Sequence, residues 1–209
     1  MKSKKTVLLA QFSTLLAIEA IVCFTPLGSL PIGPIVATLA HIPVIVTAAA
    51  LGTGFGTLMG FVTGVFSLAI WTFMPPQPFV AFVFSPFYTL GELRGGLPSL
   101  LISIVPRALI GTATGLCLSS FRKRKEPGFF AYMLAGAVGS AANTVLVLGG
   151  VYAFYGQEYA AAYGIEYSML LGAIGTVILT NGILEAVLGA LSCRFVGKPL
   201  RKIAERGMR

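Results

Sequence analysis

TVLLAQFSTLLAIEAIVCFT, residues 6–25, runs for twenty residues with one charge, Glu19. A helix rises about 1.5 Å per residue, so roughly twenty residues cross a hydrocarbon core of about 30 Å. Lys2, Lys4 and Lys5 in front of the run imitate a secretory signal peptide. Against that, the run is long, carries Gln11 and Glu19, and ends in Thr25-Pro26-Leu27-Gly28 without a small-x-small cleavage site. A retained membrane helix is the expectation.

Five more stretches of this kind follow: Ile35–Leu51, Gly54–Phe73, Pro98–Phe121, Phe129–Tyr155 and Glu166–Cys193. The second and third spans touch at Gly52-Thr53-Gly54, so five or seven spans also fit. Of the 209 residues, 56% are hydrophobic and 11% charged, against about 25% charged in soluble domains. The fold class is therefore all-α, an integral membrane bundle of six helices, with residues 1–209 forming one domain.

Basic residues set the orientation. With six spans, Lys2, Lys4, Lys5, Arg122, Lys123, Arg124, Lys125, Arg194, Lys198, Arg201, Lys202, Arg206 and Arg209 all fall on one side. The opposite loops hold Arg94, while Arg107 lies within a span. Basic loops stay in the cytoplasm, which puts both termini inside. The net charge of +8 is explained by this topology and by attraction to anionic lipid, so no nucleic-acid partner is expected. Cys23, Cys117 and Cys193 sit in or at the ends of apolar spans at no metal-like spacing, which reads as inert thiols.

The loops on the far side are apolar. The first, residues 25–34, has three prolines and two glycines, as a rigid rim with unpaired carbonyls would. Residues 74–88 concentrate prolines and aromatics, and so many rings outside a helix must pack on something. Two readings stand together: an aromatic belt at the membrane interface, or a wall over a pocket for a small, partly apolar ligand.

Charges within spans cost several kcal/mol, by rough insertion scales, unless paired or hydrated. Counting from the far side, Glu19 lies about 9 Å deep, Arg107 roughly 13 Å and Asn143 roughly 18 Å. The three are placed to meet in one cavity; the plainer alternative is a buried Glu19–Arg107 pair that only fixes packing. Asn181 and Glu185, four apart on one helix face, fall toward the cytoplasmic end and suit packing or partner contact. His41, the one histidine, either donates to a ligand or bonds a neighbouring helix. Candidate ligand-binding residues are Arg107 or Arg94 for an anionic group, and Asn143, His41 and Tyr88 as hydrogen-bonders. Phe84, Phe87 and Trp71 are apolar walls, and Glu19 is the buried acid. Small residues recur at Ala10/Thr14, Ser13/Ala17, Gly52/Gly56/Gly60/Gly64 and Gly111/Gly115, a spacing that lets helices approach closely in lipid.

Three stretches carry a resemblance to a known family: Pro31-Ile32-Gly33-Pro34 running into Thr38–Val44, Phe82–Phe87, and Val105–Gly111. In order and spacing, over nearly the whole chain, the sequence resembles the substrate-binding (S) components of energy-coupling factor (ECF) vitamin transporters. Within them it looks like the branch assigned to pantothenate or to vitamin-like substrates. The resemblance implies capture of a vitamin or precursor from outside, in a site built by the outer helix halves and loops. It implies a cell-membrane location (bacterial plasma membrane) and association with a membrane scaffold and two cytoplasmic ATPases, followed by toppling in the bilayer. The chain has no phosphate-binding loop of its own, so it is expected to be a transport subunit, not an enzyme, and to carry no cofactor. Family members contact the scaffold through alanine-x-x-x-alanine on the first helix; here Ser13 to Ala17 is a serine variant. Nickel and cobalt members start with a histidine close behind Met1, whereas this chain continues Lys2-Ser3-Lys4, so no metal is expected. The competing readings are a stand-alone secondary transporter, an intramembrane enzyme and a ligand-free assembly protein.

Overall fold

A computed structural model describes residues 4–32, 35–122 and 127–207. Helix α1 (Lys4–Phe24) ends in a 3-10 turn, Pro26–Gly28, and an antiparallel hairpin of β1 (Ser29–Ile32) and β2 (Ile35–Thr38). Helices α2 (Ile42–Leu51) and α3 (Thr53–Phe73) follow, then a 3-10 helix, Pro78–Val83, and a two-residue hairpin of β3 (Thr89–Leu90) and β4 (Leu93–Arg94). Helices α4 (Leu97–Arg122) and α5 (Phe129–Ala162) come next. The chain ends in one helical run: α6 (Tyr167–Val177), a π turn (Ile178–Gly182), α7 (Ile183–Ser192), a second π turn (Cys193–Gly197) and α8 (Lys198–Gly207). Lys2, Gly33, Pro34, Lys123, Arg124, Lys125 and Arg209, used in the sequence reading, lie outside the described residues.

Among the described residues, five helical runs are long and apolar enough to cross a membrane, and α2 is a shorter apolar helix. Three expectations need correction. The span over Ile35–Leu51 is helical only from Ile42, because β-branched Ile35, Val36 and Thr38 pair with β1. The hairpin also supplies partners for carbonyls expected to stay unpaired in the first loop. Lastly, α5 and the final run overshoot their expected ends at Tyr155 and Cys193.

Helix α2 is short and enclosed. Its residues Pro43 through Ala50 are all buried, and it touches α1, α3, α4, α5, α7 and α8. A helix that is apolar all round belongs in a core. Pro43 sits in its first turn, where a missing N–H costs nothing. Gly52 ends it at φ 101° and ψ 174°, a conformation open essentially to glycine alone, so the chain reverses directly into α3.

Helices α3 and α4 meet along their small-residue rows. A Cβ on Gly60 would lie 2.1 Å from the Arg107 carbonyl oxygen, and one on Gly111 would lie 2.1 Å from Gly56. Around this seam Val44, Ile45, Met59, Ile110, Leu118, Tyr132 and Ala135 form the main core. A second, smaller core of Phe82, Val83, Ile102, Val151 and Tyr155 lies toward the hairpin end.

Candidate functional site

Arg107 owes its place to the proline before it. Pro106 lies inside α4 and has no N–H, so the carbonyl of Ile102, four residues back, loses its helical donor. The Arg107 guanidinium supplies the missing bond: Nη1 donates to the Ile102 oxygen at 2.8 Å. The side chain is thus folded back along its own helix, and its guanidinium carbon lies 5.9 Å from the centre of the Phe84 ring. Phe84 in turn stacks on Trp71 of α3 at 4.5 Å. Among the described residues Arg107 makes no salt bridge.

This group opens onto a cavity of about 530 Å³, within the roughly 300–1,000 Å³ usual for small-molecule sites. Phe24, Pro26, Met74 and Pro76 stand at the hairpin end, with Trp71, Phe84 and Ile70 as apolar wall. Its polar groups are Arg107, His41, Asn143, Thr144, Asn181, Glu185, Thr63 and Ser67. His41 lies just ahead of α2, and its Nε2 is 3.3 Å from the Glu185 carbonyl oxygen and 3.4 Å from Ser140 Oγ. Thr144 Oγ1 donates to Glu185 Oε2 at 3.4 Å. Asn143 Oδ1 is buried without a hydrogen-bond partner among the described residues.

Glu19 stands behind the wall. Fully buried, it accepts hydrogen bonds from Thr63 Oγ1 and, at 3.2 Å, from Cys23 Sγ; both donors line the cavity. The buried Glu19–Arg107 pair is not what forms; hydroxyl and thiol donors serve Glu19 instead.

The aromatic segment is a wall, pinned from below. Val80 to Val83 are buried. Ser99 Oγ donates to the Phe82 carbonyl at 2.7 Å, and Ser103 Oγ donates to that of Phe84. Tyr155 Oη accepts the Gly96 N–H at 2.9 Å and lies 2.7 Å from Ser99 Oγ. To bring its hydroxyl there, Tyr155 leaves helical geometry, at φ −135° and ψ 21°, and kinks α5.

Of the residues singled out in the sequence, Arg107, Asn143, His41, Trp71 and Phe84 line the cavity. Arg94, Phe87 and Tyr88 do not. Arg94 lies exposed on β4, Phe87 is 76% exposed, and Tyr88 is half-buried in the loop that leads to β3. Asn181 and Glu185, expected near the cytoplasmic end, line the cavity instead. Counted from Glu166, the two residues lie about 22 and 28 Å along their helix. Helix α5 continues to Ala162, so the α5–α6 connection stands about 10 Å beyond Tyr155 along the helix. Thr63, Ser67 and Thr144 carried no signal in the sequence, since a hydroxyl in an apolar helix ordinarily bonds its own backbone. Ser13 and Ala17 lie on the exposed face of α1, beside Leu9, Ile18 and Ile21.

Comparison with known proteins agrees with this architecture. A solved S-component for biotin from an ECF-type ABC transporter superposes with a TM-score of 0.53, covering 95% of each chain at 16% identity, which speaks to the fold. The pantothenic acid transporter PanT of Lactococcus lactis subsp. cremoris is 32% identical over 159 residues, 76% of this chain and 74% of that one. The family model described as "ECF transporter, substrate-specific component" matches residues 7–193. This chain is therefore a multi-pass cell-membrane protein belonging to the family of substrate-specific components of ECF transporters.

Proposed function

We propose that the cavity captures pantothenate from outside the cell and that Arg107 holds its carboxylate. The observation that carries this is a guanidinium walled by Trp71 and Phe84, bonded to one backbone carbonyl and to no acid among the described residues. A half-buried cation within a membrane helix is costly unless something anionic completes it, and a planar fork suits a carboxylate. Pantothenate also has an amide, two hydroxyls and a gem-dimethyl group, for which Asn143, His41 and the aromatic wall offer matching chemistry. The likeness to a pantothenic acid transporter supports the same ligand.

In this reading α2 completes six traverses, the basic ends of the chain lie in the cytoplasm, and the hairpin end faces outward. The exposed Ser13/Ala17 face of α1 meets a membrane scaffold subunit, and two ATPase subunits drive release. The chain itself needs no cofactor or metal. Co-purification of those subunits from native membranes is the expected outcome; a chain that transports alone would overturn the coupling.

The ligand is tested by thermal shift with a panel of B-vitamins and precursors. Ligand at about 100 times its Kd should add roughly 2.7 kcal/mol of stability. Pantothenate should stabilise the wild-type protein, while pantothenol, with the carboxylate reduced to an alcohol, should do so far less. Arg107→Lys keeps the charge but loses the fork, and should narrow the gap between the two. Equal stabilisation of wild type by both would remove the anion site, and a shift with another vitamin alone would replace the ligand.

A further inference from the structure

We propose that α5 and the final helical run form a seat for one anionic phospholipid where they meet, with Arg194 holding its phosphate. The inference is independent of what the cavity binds. From Phe129, the first residue of α5, to Tyr155 is about 39 Å along the helix. The seat is therefore at the opposite end of the bundle from the hairpins, which Tyr155 braces through Gly96.

Arg194 stands in the π turn between α7 and α8. Its guanidinium carbon lies 5.0 Å from the centre of the Phe129 ring and 5.6 Å from that of Phe195. The two rings meet edge to face at 6.3 Å. Rings hold the cation by its face, so its in-plane N–H donors stay free for an acceptor. Among the described residues Arg194 makes no salt bridge, and its Nε is buried without a hydrogen-bond partner. Four residues on, Lys198 Nζ lies 5.6 Å from the centre of the Tyr132 ring, one turn into α5 from Phe129. Both cations thus face the start of α5, whose own free N–H groups add a positive end. The acid on α8, Glu205, is engaged by Arg201 Nε at 2.7 Å. Like charges converge here with no described acid between them, and an anion completes the arrangement.

The surroundings decide which anion. Phe130 is 82% exposed, Phe195 59% and Phe129 44%. A soluble phosphate would leave these rings uncovered, whereas a phospholipid lays acyl chains on them while its phosphate meets Arg194 and Lys198. The space is open: a Cβ on Gly128, the cap of α5, would meet no described atom within 4 Å. A zwitterionic headgroup would bring its ammonium toward two cations and a positive helix end, and phosphatidylglycerol brings none. The seat is a fixed site, distinct from the diffuse attraction that basic ends exert on any anionic surface.

Native mass spectrometry of the purified chain tests this, titrating it in detergent with phosphatidylglycerol or with phosphatidylcholine of the same acyl chains. Wild type should bind the first phosphatidylglycerol at least about tenfold more tightly than phosphatidylcholine, and Arg194→Gln should remove most of that preference. Lys5 is exposed on α1, whose Val7 meets the end of α8. Lys5→Gln therefore removes the same charge at the same end, and should leave the preference within about twofold. Phe129→Leu keeps an apolar side chain but loses the ring face, and should weaken phosphatidylglycerol about threefold. A wild type without headgroup preference would overturn the proposal. So would equal losses in Arg194→Gln and Lys5→Gln, which would show diffuse attraction alone. Displacement of the lipid by glycerol phosphate at the lipid's own concentration would also overturn it, by marking a site for free phosphate. If Arg194→Gln does not fold, Phe129→Leu against Lys5→Gln carries the same comparison.

Discussion

The seam between α3 and α4 and the cavity beside it are built on the same two helices yet follow opposite rules. Along the seam, glycines remove side chains so that backbone meets backbone, and Gly60 rests on the carbonyl of Arg107. One face round, the same Arg107 sends its guanidinium into about 530 Å³ of open space. Tight packing on one side is what holds an otherwise costly charge still on the other. The difference teaches that the small-residue rows here serve more than association in lipid. They fix the backbone from which the cavity's guanidinium projects.

The sharpest way to break this comparison is to fill the seam. Gly60→Leu drives a side chain into the Arg107 backbone, which has no room to retreat, and should cost about 3 kcal/mol or more. The measurement is size-exclusion behaviour and thermal melting in mild detergent; an unchanged melting temperature would show that the helices can separate without loss. The second way is to loosen the cavity wall and leave the seam alone. Tyr155→Phe deletes the hydroxyl that accepts the Gly96 N–H and meets Ser99, and should cost about 1–2 kcal/mol. Since Ser99 and Ser103 carry the segment that ends in Phe84, pantothenate affinity should fall several-fold as well. Melting curves with and without ligand separate the two effects.

The two regions also differ in how legible they were. The glycine rows could be read directly, because four-residue spacing of small residues has one structural meaning in a helix. Arg107 and Asn143 could be read because polar groups are expensive in hydrocarbon and few in number. Asn181 and Glu185 line the cavity although counting from Glu166 sets them toward the other end of their helix. A run of hydrophobic letters does not say how one helix is offset against its neighbours. Helix α5 and the final run both continue past their apolar cores. The stretch before Ile42 misled in another way: apolarity made it look like half a span, while its β-branched residues paired into a hairpin. The hydroxyls of Thr63 and Thr144 gave no sign at all, since their role depends on Glu19 and Glu185 arriving from other helices.

The smallest expected effect is the one that tests where the cavity ends. Arg94 and Phe87 belong to the same α3–α4 connection as Phe84, and the sequence offers them as an anion holder and a wall. In the fold they sit on or beside the short β3–β4 hairpin, exposed, and contribute nothing to the cavity lining. Arg94→Ala and Phe87→Ala should each leave melting within about 0.5 kcal/mol of wild type, the usual range for a surface change. Affinity for pantothenate should likewise move by less than twofold. An exposed cation still attracts an anionic ligand from solution, so Arg94→Ala should slow association slightly at low ionic strength, and added salt should erase the difference. Loss of affinity that persists in high salt would mean that Arg94 touches the bound ligand, and that the hairpin closes over a cavity that extends further outward than the lining residues define.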